Sequence, residues 1–253
     1  MVEFTTEQQE RAAKQLERYR SRAEKHEKLY EEGKVEQKLS TFFSGLASKY
    51  DKLAILSVYH EQTIEAREYF ETSAEYYLRS AEESSVTVPT TLTLARGLYN
   101  AALAGHSDLI REFARQITEI IQTADIDPDE PDADRYYFSG CLAGAILDDV
   151  SDHLLDGLAT VNEGKPETHA LYGSGILAFT RGIRNDDIDQ IEDGITTMIE
   201  YHTRSTNDEN VVDLVMAPEA TALLIISRWM GYELEIDSDH IPAELADESA
   251  STH

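Results

Sequence analysis

The chain consists of long helical blocks separated by a few prolines, and this pattern restricts the fold more than any other feature. Only six prolines occur in 253 residues. Four of them, at positions 89, 128, 131 and 166, stand between blocks whose apolar residues recur at helical spacing. No convincing pair of strands joined by a hairpin turn is present. We therefore expect an all-α fold, either an irregular α-solenoid or a bundle of antiparallel helical hairpins.

The N-terminal blocks predict three helices. Thr5 or Thr6 can cap the first, and Gly33 is placed to end it just after Glu32. A second helix is expected over about residues 35–59, and a third has apolar residues near helical spacing from 64 onward. Neither Gly nor Pro marks the break between these two helices near residues 60–63, so its position stays open.

After Pro89 the chain contains two similar helical hairpins with a long helix between them. The first hairpin turns at Gly105, with Ser107 or Asp108 as the expected cap of its second helix. The second turns at 182–185, with Asn185 or Asp186 as the expected cap. The stretch 133–160 is predicted to be one helix. The hairpins lie roughly 80 residues apart, so the fold is tetratricopeptide-like in its hairpins without a regular 34-residue repeat.

Charge and helix pattern together suggest a division of the chain. Residues 1–85 form long N-terminal helices that pack on a helical-hairpin body, residues 86–246, and residues 247–253 form a frayed tail. Within the body, residues 124–134 are an acidic loop. The first 52 residues hold 11 basic and 10 acidic side chains, so nearly all of the net charge of −27 belongs to the rest of the chain. We expect the N-terminal helix to lie against this acidic body or against a partner.

The acidity restricts the possible partners. With 49 acidic and 22 basic residues, non-specific binding to nucleic acid or to an anionic membrane is disfavoured. Adaptation to high salt and attraction of a basic partner both explain such a charge. The acidic residues are spread over several segments, and Lys165 is the only lysine after Lys52. This distribution favours a halophilic protein.

Cysteine usage and hydropathy predict a cytoplasmic location. Cys141 is the single cysteine, so the chain cannot form an internal disulfide, and its apolar surroundings indicate a buried, inert thiol. The first 20 residues lack the apolar core of a signal peptide. The longest apolar run, residues 222–226, is far shorter than a membrane span.

One string has the spacing of a catalytic motif. Asp148, Asp149 and Asp152 form DDxxD on the predicted 133–160 helix and resemble the aspartate-rich motif of isoprenoid diphosphate synthases, in which carboxylates hold magnesium. The nearest second acidic segment, 185–193, lacks that spacing, and basic residues for a diphosphate are few. A solvated acidic helix face is the preferred interpretation. With no GxSxG, P-loop, GxGxxG or HExxH present, we expect no enzyme, no cofactor and no metal.

The C-terminal block begins with a helix that is apolar nearly all round, from Pro218 to a stop at Gly231. Tyr232, Leu234 and Ile236 then alternate with acidic residues, which is the period of a strand. A lone strand in a helical protein has no ladder partner. We therefore expect an extended strap with its apolar side facing the last helices.

This block, "LVMAPEATALLIISRWMGYELEIDSDHIPAEL", resembles the C-terminal signature of the immunity protein 49 family of polymorphic-toxin immunity proteins. The matching residues are Leu214, Pro218, Gly231, Leu234, Glu235, Ile236, Asp237, Ser238, Ile241, Pro242 and Leu245. The preceding hairpin also resembles that family, and the resemblance covers roughly residues 90–246. It implies a protein that is not an enzyme and that binds and blocks a cognate toxin, such as a basic nuclease, in the producing cell.

Two other functions stay open at this stage: a helical-repeat scaffold for another protein partner, and a magnesium-dependent helical enzyme that uses the DDxxD motif. For an immunity protein, the expected mechanism is steric occlusion of the toxin. We expect loop tips and the acidic helix face to supply the contacts. The candidate residues are Asp108, Asp148, Asp149, Asp152, Asp186 and Asp187.

Overall fold

A computed structural model describes residues 2–85, 87–124, 126–207 and 209–247. Over these residues all regular secondary structure is helical, which confirms the all-α prediction. The helices are α1 (Thr6–Glu31), α2 (Leu39–Tyr59), α3 (Thr63–Glu82), α4 (Val88–Ala104), α5 (Ser107–Thr123), α6 (Ala133–Leu147), α7 (Asp152–Glu163), α8 (Glu167–Asn185), α9 (Ile188–Ser205), α10 (Pro218–Trp229) and α11 (Ala243–Asp247).

The helices pack mainly on their neighbours in the chain. From α1 to α6, each helix contacts the next, and α8 packs along α9. Helix α4 is central, because it also contacts α6 and α10, and α10 in turn contacts α9. None of the described helices combines the length and the apolar character needed to span a bilayer. The array therefore brings α4, α9 and α10 together, and these helices line the interior cleft described below.

The N-terminal helices begin and end largely at the residues that the sequence predicts. Thr5 caps α1 in a capping box, in which its hydroxyl accepts from the Gln8 amide and the Gln8 side chain accepts from the Thr5 amide. Gly33 follows α1 with a φ of 65°. Helix α2 begins at Leu39, about four residues later than predicted. The open break between α2 and α3 lies at Glu61, which has a left-handed φ of 58°.

Glu61 provides a stability test. Left-handed backbone costs an L-residue with a Cβ about 1 kcal/mol or more, and glycine escapes that cost. Because glycine also has a more flexible unfolded chain, we expect Glu61→Gly to raise the free energy of unfolding by about 0.5 kcal/mol. The matched control, Glu68→Gly in the exposed interior of α3, is expected to lower it by about 1 kcal/mol. Urea denaturation measures both; a loss at Glu61 as large as at Glu68 would contradict the prediction.

The prediction of one helix over 133–160 is wrong. Helix α6 ends at Leu147, Asp148 takes a left-handed conformation with φ 56°, and α7 begins at Asp152. The Ser151 hydroxyl caps α7 by accepting from the Leu154 amide at 3.3 Å. The break was missed because apolar residues keep their helical spacing on both sides of it. As a result, the DDxxD aspartates do not lie on one helix.

The predicted turns of both hairpins occur, but their caps are shifted. Gly105 ends α4 with a φ of 78°, and the His106 ring accepts from the Leu109 amide at 3.4 Å. The cap of α5 is therefore His106, while Ser107 and Asp108 are its first two residues.

In the second hairpin the capping residue is also one position from the prediction. Asp186 ends α8 in a left-handed conformation, and Asp187 caps α9 by accepting from the Gln190 amide at 3.1 Å. Neither Asn185 nor Asp186 caps α9. Asp187 takes this role because its backbone is extended, as an N-cap requires, whereas the two preceding residues end α8.

The strap prediction is confirmed over residues 232–237, which form neither a helix nor a ladder. Leu234 is buried, Tyr232 and Ile236 are half-buried, and the alternating acids are exposed. Two hydrogen bonds fasten the strap: the Arg228 guanidinium donates to the Leu234 carbonyl at 3.3 Å, and the Glu235 amide donates to the Glu192 carboxylate at 3.1 Å. The predicted frayed tail, residues 247–253, lies outside the described residues from 248 onward.

Two tyrosine pairs and the single cysteine are part of the helical core. Tyr77, Tyr136 and Tyr137 are buried and Tyr76 is half-buried. Cys141 is fully buried, and burial raises the pKa of its thiol to about 12. Such a thiol stays protonated at neutral pH and is a poor nucleophile.

Candidate functional site

Five of the six predicted contact residues lie together on one edge of the molecule. We use the name acidic edge for the surface formed by the α6–α7 turn (148–152), the α8–α9 turn (186–187) and the start of the strap at Tyr232. Asp152 forms an ion pair of 2.5 Å with Arg184, at the end of α8. The Tyr232 hydroxyl lies close enough to Asp186 and Asp148 to feel both negative charges. Burial and these nearby carboxylates, Asp186 above all, raise the pKa of Tyr232.

The sixth residue, Asp108, is joined to this edge through an aromatic contact. Its carboxylate lies 3.9 Å from the Arg111 guanidinium. Arg111 in turn lies over the ring of Trp229, 4.7 Å from the centroid. Trp229 is the last residue of α10 and comes three residues before Tyr232, so Arg111 connects Asp108 to the segment that leads into the strap.

Exposed and partly exposed apolar side chains lie close to the carboxylates of the acidic edge. Ile188, directly after Asp187, is 45% exposed, which is unusual for a large aliphatic side chain in this protein. Trp229 and Tyr232 are partly exposed as well. Aromatic anchors surrounded by polar residues are typical of protein-binding surfaces, and dense carboxylates favour a basic partner.

The DDxxD aspartates do not form the arrangement that a magnesium site on a helix requires. They are divided between the end of α6, the turn and the start of α7, and Asp152 is paired with Arg184. Over the described part of the chain, no group of three or more His, Cys, Asp or Glu side chains converges as metal ligands. The resemblance to diphosphate synthases depended on all three aspartates lying on one helix, and the structure divides them between two helices and a turn.

A second candidate site, the interior cleft, was missed by the sequence reasoning. It consists of two adjoining cavities of about 420 and 380 Å³. Four residues line both: Arg96 and Tyr99 from α4, Tyr201 from α9 and Glu219 from α10. We call the first cavity the aromatic lobe and the second the acidic lobe.

Aromatic rings form one side of the aromatic lobe. The ring of Tyr172 on α8 contacts Phe138 and Tyr201 edge-to-face, with centroids 5.2 and 5.3 Å apart. The hydroxyls of Tyr99 and Tyr172 are hydrogen-bonded to each other at 3.0 Å. Burial raises the pKa of both phenols, so they are neutral hydrogen-bonding groups at physiological pH.

Carboxyl groups line the acidic lobe. Asp51 on α2 and Glu219 are densely surrounded by protein, yet each keeps part of its surface open to the cleft. Burial raises the pKa of Asp51 to about 6, against the opposing effect of Lys52 and Arg96. Burial also raises the pKa of Glu219. Such carboxyls gain or lose a proton more readily near neutral pH than exposed ones do.

Arg96 faces these carboxyls without touching them. No ion pair within 4.0 Å joins it to a carboxylate of the described residues. On the next turn of α4, the Asn100 amide donates to the Arg96 carbonyl at 2.9 Å. The Asn100 side-chain oxygen is buried and has no hydrogen-bond partner among the described residues. The cleft thus contains both unused donors and an unused acceptor.

A signal for this cleft was present in the sequence. Arg96 is the only charged residue of α4, between Ala95 and Gly97, and Glu219 is the only charged residue between Asp213 and Arg228. A single charge in an otherwise apolar helix marks a face of that helix that lies outside the apolar core, and the structure places Arg96 exposed and Glu219 half-buried at the cleft.

Two candidate sites therefore result: the acidic edge on the surface and the interior cleft. The first collects residues expected from the sequence, and the second combines residues from seven helices, α2, α3, α4, α6, α8, α9 and α10. Their chemistry has to be interpreted from their own geometry, because comparisons of the chain with protein-family models, with curated proteins and with solved structures find no match.

Proposed function

We propose that this protein binds and neutralises a cognate protein toxin in the cell that produces it, by covering the toxin's active site. The observation that supports the proposal is the acidic edge. Five of the six candidate aspartates lie there, beside exposed Ile188 and partly exposed Tyr232, and Asp108 is connected to Trp229 through Arg111. The C-terminal resemblance to toxin-immunity proteins supplies the class of partner.

Electrostatics favour a basic toxin, such as a nuclease. A net charge of −27 steers a positively charged partner toward the protein and raises the association rate at low ionic strength. In molar salt the Debye length falls to about 3 Å, so this steering is lost. Affinity at high salt must then come from shape and from the apolar groups of the edge.

The main alternative is a helical-repeat scaffold for a different protein partner, which would use the same surface. The magnesium-enzyme alternative has no supporting observation once the DDxxD motif is divided between helices. Co-expression with each candidate toxin from a neighbouring gene separates the first two functions. Rescue of growth together with a stable purified complex supports neutralisation. The absence of both rescue and complex would contradict the proposal.

Neutralising the acidic edge is expected to weaken toxin binding at least ten-fold at low salt, because several close carboxylates steer and hold a basic partner. The variant replaces all six aspartates with asparagine. The control replaces six exposed α1-region glutamates with glutamine, with the same change in net charge: Glu3, Glu7, Glu10, Glu17, Glu24 and Glu31. We expect it to shift the binding free energy by less than about 0.5 kcal/mol. Equal losses in both variants would assign the effect to overall charge.

A second pair of variants tests the apolar part of the edge in molar salt. Ile188→Asp removes an exposed isoleucine in the first turn of α9, and Ile64→Asp does the same in the first turn of α3. Aspartate is well tolerated in a first helical turn, so both variants should fold. Calorimetry should show at least a five-fold loss of toxin affinity for Ile188→Asp alone; indistinguishable affinities would contradict a contact at Ile188.

A further inference from the structure

We propose that the interior cleft binds a free α-amino acid with an apolar side chain. In this arrangement the ligand carboxylate pairs with Arg96, its ammonium group faces Glu219, and its side chain occupies the aromatic lobe. The proposal is independent of the toxin, because the cleft and the acidic edge share no residues.

Arg96 is the carboxylate-binding group. A guanidinium carries five N–H donors in a planar fork that matches a carboxylate. The Arg96 side chain forms no hydrogen bond or ion pair with the residues that the structure describes, although its surface is open to both lobes. In a chain with 49 acidic residues, Arg96 is exposed at the cleft yet pairs with no carboxylate of the described residues, which leaves a place for an external carboxylate.

Acceptors for an ammonium group lie across the cleft from Arg96. Glu219 and Asp51 both feel the positive charge of Arg96 but are more than 4.0 Å from it. The Asn100 oxygen, buried and unpartnered, belongs to the same lobe. An ammonium group has three N–H donors for such acceptors. A zwitterion therefore completes the ion pair that Arg96 and Glu219 do not form directly.

The aromatic lobe is suited to the ligand's side chain. Its volume of about 420 Å³ lies in the usual range for small-molecule sites, and Leu92, Phe138 and Tyr172 provide apolar surface. The Tyr99–Tyr172 hydroxyl pair uses one O–H as donor. The other O–H has no acceptor among the described residues and is available to the ligand.

Overall charge favours a zwitterion over a simple ion. A monoanion must enter a protein of charge −27 and approach Glu219 and Asp51, so it is repelled. A monocation meets Arg96, which has no counter-ion in contact. A neutral zwitterion avoids both penalties and matches both ends of the cleft.

The experiment uses the full chain and three probes of nearly equal shape. Phenylalanine carries both charges, 3-phenylpropanoate lacks the ammonium group, and 2-phenylethylamine lacks the carboxylate. Titration calorimetry is expected to give phenylalanine a Kd below about 1 mM and the two analogues at least ten-fold weaker binding. A cleft that holds only water would bind none of them at about 10 mM. That result, or equal binding of either analogue, would overturn the proposal.

Variants identify the two ends of the site. Arg96→Met should weaken phenylalanine binding at least ten-fold, whereas Arg115→Met, an exposed arginine on α5, should leave it unchanged. Glu219→Gln should weaken phenylalanine but not 3-phenylpropanoate, a change in selectivity that a merely destabilised fold does not produce. Uniform weakening of both probes by Glu219→Gln would contradict the assignment. Because no toxin is present, failure here leaves toxin neutralisation untouched.

Discussion

Replacing Gly194 with alanine is expected to lower the free energy of unfolding by about 3 kcal/mol, at the upper end of the usual cost of overpacking. Gly194 lies on α9 where this helix crosses α8 at its closest approach. A Cβ at this position would lie 2.5 Å from the Phe179 backbone nitrogen and 2.9 Å from the Gly175 carbonyl oxygen. Because these are backbone atoms, no rotamer change relieves the overlap, and the two helices must separate.

The matched control is Gly45→Ala in α2. There the new Cβ meets only the flexible end of Lys49, at 3.8 Å. Alanine is a better helix former than glycine by about 1 kcal/mol, so this variant should be more stable than the wild type. Urea denaturation at fixed pH and salt measures both. A Gly194→Ala protein within about 0.5 kcal/mol of the wild type would show that α8 and α9 do not pack this closely.

The second large effect concerns Asp51. Its pKa is raised from 3.8 to about 6 in the folded protein, mainly by burial, and the charged groups facing it are Lys52, Arg96 and Glu219. A raised folded-state pKa stabilises the fold below pH 3.8, and this contribution is lost as the pH rises through about 6. At pH 8 the folded protein therefore holds an unfavourable buried carboxylate.

Asp51→Asn removes this unfavourable negative charge, because an amide does not ionise. At roughly 1.4 kcal/mol per pKa unit, we expect the variant to be about 3 kcal/mol more stable than the wild type at pH 8 and about 1.5 kcal/mol more stable at pH 5. The control, Asp156→Asn on the exposed face of α7, removes the same charge. Denaturation at both pH values should show a pH-dependent gain only at residue 51; a gain that does not grow with pH would contradict the burial of this carboxyl.

Features encoded by adjacent residues were predictable from the sequence. Thr5 and Gly33 bound α1 as expected, and Pro218 begins the buried α10. Predictions of the caps at residues 106 and 187 missed by one position, since Ser, Asp, Asn and His compete for the same role within a turn. The break at Asp148 was missed because helical spacing continues across it.

The acidic edge was predictable as residue types at turns, but not as one surface. Asp152 and Asp186 lie 34 positions apart in the sequence, and their shared neighbourhood depends on how α7, α8 and the strap pack. Nothing in local pattern indicates that Arg111 contacts Trp229, although this contact joins Asp108 to the others.

By itself the sequence determined the all-α class, most helix boundaries and the C-terminal strap. These features depend on the period of apolar residues and on capping residues within a few positions, so residues close together in the chain encode them. Only the tertiary structure decided that Arg96, Asp51 and Glu219 share a cleft and that they stay out of contact. That arrangement depends on the distances between helices that are far apart in the chain. Side-chain volumes and close backbone contacts, such as Gly194 against Phe179, set these distances when the helices pack.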